Sequence, residues 1–178
     1  MISCQLKNGK TLYIRRVEDY DCVDIVRMSV KMGGESDNLT FGASDFYFTV
    51  DQQRAFISSI RHREGCLYIA AICDNKIIGT LSFIASPRKR IMHRGEMGIG
   101  ILKDYWGVGV ATKLMDYFFK WVETDGIIKK IELQVREDNI NAINLYIKYG
   151  FKIEGRISMG MCVEDKYYDL YCMGKIVG

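Results

Sequence analysis

Gly98-Ile99-Gly100-Ile101-Leu102-Lys103-Asp104-Tyr105-Trp106-Gly107-Val108-Gly109-Val110-Ala111-Thr112 is the stretch on which the reading of this chain turns. Its apolar start with two glycines reads as a strand, which Lys103-Asp104-Tyr105 breaks. Gly107 and Gly109 then lead straight into Ala111-Thr112-Lys113-Leu114-Met115, which has helical character. Strand, glycine turn and helix start together present several backbone N–H groups in one direction, with no Cβ at the glycines to block a ligand. Such a turn lies at the positive end of a helix dipole and suits a phosphate or pyrophosphate; it serves equally as a tight strand-to-helix turn with no ligand.

Working outward, Thr11 to Val17 alternates as a strand, and Val23, Val26 and Val30 recur at helical spacing up to Gly33-Gly34, where a helix is expected to end. Glu35 to Asp45 reads as irregular, and a second helix starts near Asp51 and stops by Gly65. Cys66 to Cys73 is an almost unbroken apolar run, hence a buried strand, with Lys76 to Ala85 as its hairpin partner across Asp74-Asn75. After the glycine turn, Leu114, Phe118, Trp121 and Val122 form one face of a helix to Asp125. Lys130 to Val135 alternates as a strand, Asp138-Asn139 caps a helix ending at Gly150, and Phe151–Ser158 with Lys166–Gly174 close the chain as an antiparallel pair. This is an α/β (α+β) chain: a mixed, mostly antiparallel sheet of about seven strands flanked by four helices, with a βαβ-like crossing in the middle. One domain is expected over residues 1–178, its core running from Thr11 to Gly174. Tyr171 and Cys172 lie in the last strand, and sheet edges there could pair two subunits into a homodimer.

Composition narrows the function. A hydrophobic share of 48% supports a sizeable core, and a net charge of +3 is too small to argue for nucleic acid or an anionic membrane. Six cysteines form no CxxC pair, and His62 and His93 have no partners at metal-ligand spacing, so no metal is expected. With no signal-like apolar block after Met1 and no long apolar run, the cysteines read as reduced thiols in a cytoplasmic protein. The P-loop pattern is absent, and Gly107-Val108-Gly109 lacks the third glycine of the dinucleotide fingerprint, which disfavours kinases, ATPases and dehydrogenases.

Two stretches instead resemble one family, the Gcn5-related N-acetyltransferases (the GNAT superfamily). Its acetyl-CoA-binding motif, R/Q-x-x-G-x-G/A after the fourth strand, is similar to Trp106-Gly107-Val108-Gly109-Val110-Ala111, with Gly109 and Ala111 at the small positions and Trp106 in place of Arg or Gln. Its second signature, N-x-x-A-x-x-L-Y-x-x-x-G-F, stands complete from Asn139 through Ala142, Leu145, Tyr146 and Gly150 to Phe151. The resemblance implies an acetyl-CoA-dependent N-acetyltransferase with a single-domain fold of that family. It implies that the strand at Ile99, Gly100 and Ile101 aligns the pantetheine arm and that Gly107, Val108, Gly109, Val110, Ala111 and Thr112 hold the pyrophosphate. Asn139 and Asn144 are implied as amide contacts to CoA, Asn139 being a helix cap on the residue pattern alone.

Tyr146 matches the family's general acid near the CoA sulfur, although a tyrosine among helix core positions is also ordinary packing. The glutamate that protein N-terminal acetyltransferases carry five residues before the motif asparagine is here Gln134, which takes no proton. Glu96, on the fourth strand, is the candidate base, its alternative being an exposed strand residue. Glu35, Asp37 and Asp45 are candidates to attract a cationic amine. The resulting expectation is acetyl transfer to the primary amine of a small molecule. A protein N-terminal acetyltransferase and a catalytically weak acyl-CoA-binding module are the competing readings.

Overall fold

The computed structural model describes residues 1–178. In chain order the elements are β1 (Ile2–Gln5), β2 (Thr11–Arg16), α1 (Cys22–Glu35), α2 (Val50–Ile60), β3 (Cys66–Cys73), β4 (Lys76–Ala85), β5 (Arg94–Ile101), α3 (Val110–Asp125), β6 (Lys130–Arg136), α4 (Ile140–Lys148), β7 (Lys152–Val163) and β8 (Lys166–Ile176). All eight strands form one sheet in the order β1-β2-β3-β4-β5-β6-β8-β7. Every neighbouring pair is antiparallel except β5 and β6, which are parallel and joined through α3.

Three details differ from the expectation. β1 is an eighth strand, four residues long, too short and too polar to show alternation, and pairing from Ile2↔Ile14 to Gln5↔Thr11 makes it one. Gly33-Gly34 does not end α1 but lies in its last turn. A Cβ on Gly33 would stand 2.7 Å from the Gly42 carbonyl group, so this glycine lets the following segment cross the helix closely. Finally, β8 lies between β6 and β7. Tyr171 and Cys172 therefore pair on both sides, with Val135 and Gln134 of β6 and with Arg156 and Gly155 of β7, and offer no free edge. The free edges are β1 and β7.

Alternation divides the sheet into two faces. Leu81 and Phe83 of β4, Met97 of β5, and Ile131, Leu133 and Val135 of β6 are all buried on one face. α3 covers that face with Leu114, Met115, Phe118 and Val122, the rings of Phe83 and Phe118 lying 5.3 Å apart. α1 and α2 cover part of the other: Met32 comes down over Gly100, where a Cβ would meet its thioether at 2.6 Å, and Phe56 meets Tyr68 at 5.9 Å. One continuous cluster of 34 buried residues joins both layers. The second face is left open beside β5 and β6, where Glu96, Gly98 and Gln134 are exposed.

Candidate active site

β5 and β6 touch only at their beginnings. Their register runs Arg94↔Lys130, Gly95↔Ile131 and Glu96↔Glu132 and stops there, although β5 continues to Ile101 and β6 to Arg136. β4 meanwhile stays paired with β5 from Ala85↔Gly95 to Gly79↔Ile101. Beyond Glu96 the sheet thus opens into a V, one wall of which is an unpaired strand edge. Leu102 donates its N–H to the Ile78 carbonyl on β4 at 2.9 Å. By strand alternation the polar backbone groups of Met97, Ile99 and Ile101 point the other way, into the opening, while those of Gly100 turn toward β4.

The glycine turn closes the far end of the V. Gly107 (φ +73°) and Gly109 (φ +101°) both adopt left-handed backbone, and at neither does a Cβ meet an atom within 4 Å, so open space lies in front of the turn. Gly109 caps α3, accepting from Lys113 N–H at 3.1 Å, but none of the six N–H groups from Gly107 to Thr112 has an acceptor within the chain. Six free donors at the positive end of a 16-residue helix form a cradle for a phosphate-type anion. Thr112 is held in place from behind: Tyr149 donates its hydroxyl to the Asp116 carboxylate at 2.6 Å and lies 3.0 Å from the Thr112 carbonyl, tying α4 to α3. Burial, reinforced by Asp116, raises the Tyr149 pKa and keeps the group a hydroxyl.

Trp106 has its own job. Its indole N–H donates to the Ile101 carbonyl at 2.7 Å while 46% of the residue stays exposed. The donor that stands at the Arg/Gln position of the motif is consequently turned back onto the open strand edge, not forward over the cradle.

Tyr146, on α4, is buried to 7% and packs on Phe151 with ring centroids 5.8 Å apart. Its hydroxyl has no partner in the chain, yet Gln53 Nε2 is the one sealed and unpaired side-chain polar atom of the molecule, so the Tyr146 oxygen keeps access to open space. Desolvation pushes its pKa up to about 12. Asn139 caps α4, its side-chain oxygen accepting from Ala142 N–H at 3.3 Å, which leaves the amide NH2 free; Asn144 is exposed on the same helix.

Glu96 is the last β5 residue paired with β6 and so marks the vertex of the V, exposed on the open face and without an ion-pair partner. Its neighbour Glu132, which sequence reasoning passed over, is already engaged by Arg94 at 2.6 Å and Lys130 at 3.4 Å. Of the three acidic residues expected to draw in a cation, two are otherwise employed. Glu35 ends α1 and accepts from Lys103 N–H at 2.8 Å and from Lys31 at 3.3 Å, bracing the start of the turn. Asp45 accepts from Gly42 N–H within its own loop. Asp37 is exposed, and its carbonyl receives Arg136 Nη1 at 2.9 Å.

Arg136 was also missed. It ends β6, grips Asp138 at 2.6 and 3.1 Å, and lies 4.1 Å over the Tyr168 ring, so it fastens the α1–α2 segment across the mouth of the V. No spacing rule marks an arginine that works through a carbonyl 99 residues away. No three His, Cys, Asp or Glu side chains gather at metal-binding distance, all six cysteines are free thiols, and no helix is long and apolar enough to cross a membrane.

Comparison with known proteins agrees with this geometry. The solved structure of an acetyltransferase of the GNAT family from Streptococcus pneumoniae superposes with a TM-score of 0.90 at 30% identity, covering 93% of this chain and 99% of that one. The structure of yncA from Salmonella typhimurium, solved with its cofactor acetyl-CoA, matches with a TM-score of 0.81 at 15% identity over 94% of both chains. Among curated sequences, the L-amino acid N-acetyltransferase AaaT of Escherichia coli (strain K12) is 32% identical over 114 residues, 64% of this chain and 70% of that protein. The model of the acetyltransferase (GNAT) family matches residues 37–151, which contain the cradle, the V and Tyr146. The chain belongs to the GNAT family and is an N-acetyltransferase.

Proposed function

We propose that the protein transfers the acetyl group of acetyl-CoA to the primary amine of a small molecule, both substrates being bound together. The observation that carries this reading is the V between β5 and β6 opening directly onto the unpaired amides of Gly107 to Thr112. The cradle takes the pyrophosphate on Gly107, Val108, Gly109, Val110, Ala111 and Thr112, and the open space before both glycines fits a diphosphate. The pantetheine arm lies along Ile99 to Ile101 and completes the strand edge, Gly100 having yielded its side-chain volume to Met32. The amide NH2 groups of Asn139 and Asn144 add contacts to CoA.

Acetyl-CoA supplies an activated thioester. Glu96 removes a proton from the ammonium form of the acceptor, directly or through water, so that a neutral amine attacks the carbonyl carbon. The N–C bond forms, the C–S bond breaks, and N–H groups of the open strand stabilise the charge on the carbonyl oxygen. Tyr146 gives its proton to the departing sulfur and regains one from the nitrogen of the new amide; burial disfavours its phenolate, so the hydroxyl form is the one restored. The experiment that tests the reading is an amine panel with free-thiol release as readout. Amine-dependent thiol release supports it, and peptide N-termini outcompeting every free amine would move the acceptor to protein.

A further inference from the structure

A row of rings leads from the α1–α2 segment to the open face of the sheet, two strands from the V. Phe41 and Phe46 lie 4.8 Å apart, Phe46 and Phe48 5.9 Å, Phe48 and Phe56 6.3 Å, and Phe56 and Tyr68 5.9 Å, an unbroken series from the α1–α2 segment through α2 to the sheet. Resting on the reading of the chain as an acetyltransferase of small amines, we infer that its preferred acceptors carry one flat apolar group, held by Phe46, Phe48, Phe56 and Tyr68.

Register connects the rings to the chemistry. Tyr68 pairs with Ser82, and Ser82 with Gly98, so the three stand in one row on the face that also carries Glu96 two residues along β5. The strip between them is bare: Gly98 has no side chain and is exposed, and a Cβ there would approach only Ser82 Oγ, at 3.5 Å. Two strand spacings separate Tyr68 from Gly98, roughly 10 Å, a span suited to one ring on a short alkyl amine. Arg136 holds the segment that bears Phe41, Phe46 and Phe48 across this strip by its bond to Asp37. Phe48 keeps 46% of its surface exposed, although an aromatic ring gains from cover.

Charge selects against the opposite class. A polyamine needs a carboxylate for each additional ammonium, but Glu35 is bound to Lys103 N–H and Lys31, and Asp45 to Gly42 N–H. At the inner end of the rings the Tyr68 hydroxyl sits beside the uncharged Thr80 and Gln53, and the nearby Asp21 carboxylate is already taken by Arg15 at 2.6 Å. Glu96 stands free beside the bare strip for the amine that reacts, and of the three loop acids Asp37 alone keeps an unpaired carboxylate, so one further ammonium at most finds a partner there.

The test compares phenethylamine, n-butylamine and spermidine at saturating acetyl-CoA in the wild type and in Phe48→Ala, an exposed position outside the regular elements. Calorimetry of phenethylamine and spermidine on the CoA-loaded protein accompanies it. The expected result is a kcat/KM for phenethylamine at least tenfold above both other amines, with the phenethylamine-to-butylamine ratio falling to within about threefold of one in Phe48→Ala. Tighter binding of phenethylamine than of spermidine supports the ring site even if no amine is turned over, in which case transfer itself is what fails. Spermidine matching or exceeding phenethylamine in turnover or binding, or an unchanged ratio in Phe48→Ala, overturns the inference and leaves acetyl transfer intact.

Discussion

Burial of the Tyr146 ring disfavours the phenolate, raising the pKa from 10.0 to about 12. A tyrosine that binds its proton more tightly when folded adds stability that is complete below pH 10 and is lost as pH climbs through about 12. Tyr146→Phe is therefore expected to lose stability less steeply than the wild type as pH rises from 10 to 12, and to lower kcat about 100- to 1,000-fold with acetyl-CoA affinity little changed. Calorimetry and thiol release separate the two effects. Gly109 is a different case, because its φ of +101° excludes an ordinary side chain while the space before it stays open. Gly109→Asp is expected to cost about 1–2 kcal/mol of stability and to abolish measurable CoA binding by placing a carboxylate where an anion belongs; undiminished affinity would sink the cradle. Trp106→Phe removes only the donor to Ile101, a bond worth about 1 kcal/mol. Its expected effect is a rise of about fivefold in the KM for acetyl-CoA, with kcat unchanged.

At the scale of elements, the site is a pairing failure kept open by design of its neighbours. β5 is held straight by β4 and β6 by β8, so neither can close the V past Glu96 and Glu132. The proposed acceptor wall rests on Arg136, whose side chain is only 12% exposed and joins the Asp37 carbonyl, Asp138 and Tyr168. Arg136→Ala is expected to raise the acceptor KM at least fivefold, to cost about 1–3 kcal/mol in thermal or denaturant unfolding, and to leave acetyl-CoA affinity unaltered. A matching loss of acetyl-CoA affinity would show that Arg136 supports the whole site and not the acceptor wall alone. The strands and helices around this opening were legible from alternation and 3.6-residue spacing, as Cys66–Cys73 and Leu114–Val122 illustrate. The opening itself was not, because where two strands part is set by their partners on the other side and leaves no period in either sequence. Gly33-Gly34 misled for a related reason: a glycine required by close approach looks the same in sequence as a glycine that ends a helix.

Across the whole molecule, one core supports two features from distant parts of the chain, the free amides at the start of α3 and the rings before and on α2. The residues proposed to hold the cofactor could be named from the sequence because they lie in two short motifs, each within one strand–turn–helix or helix unit. Those proposed for the acceptor could not, since Phe48, Tyr68, Gly98 and Arg136 are related only through a ring series, the register of β3, β4 and β5 and a single long-range bond. The placement of β8 between β6 and β7 likewise escaped reading, since strand order in space is free to differ from order in the chain. The proposed transfer needs both features at once, and one measurement addresses that directly: mass-spectrometric detection of N-acetylated amine alongside released CoA thiol, in wild type and Tyr146→Phe. Equal amounts of acetylated amine and thiol, with the rate reduced at least 100-fold in the variant, is the predicted result. CoA bound tightly in both proteins with no acetylated amine in either would contradict it.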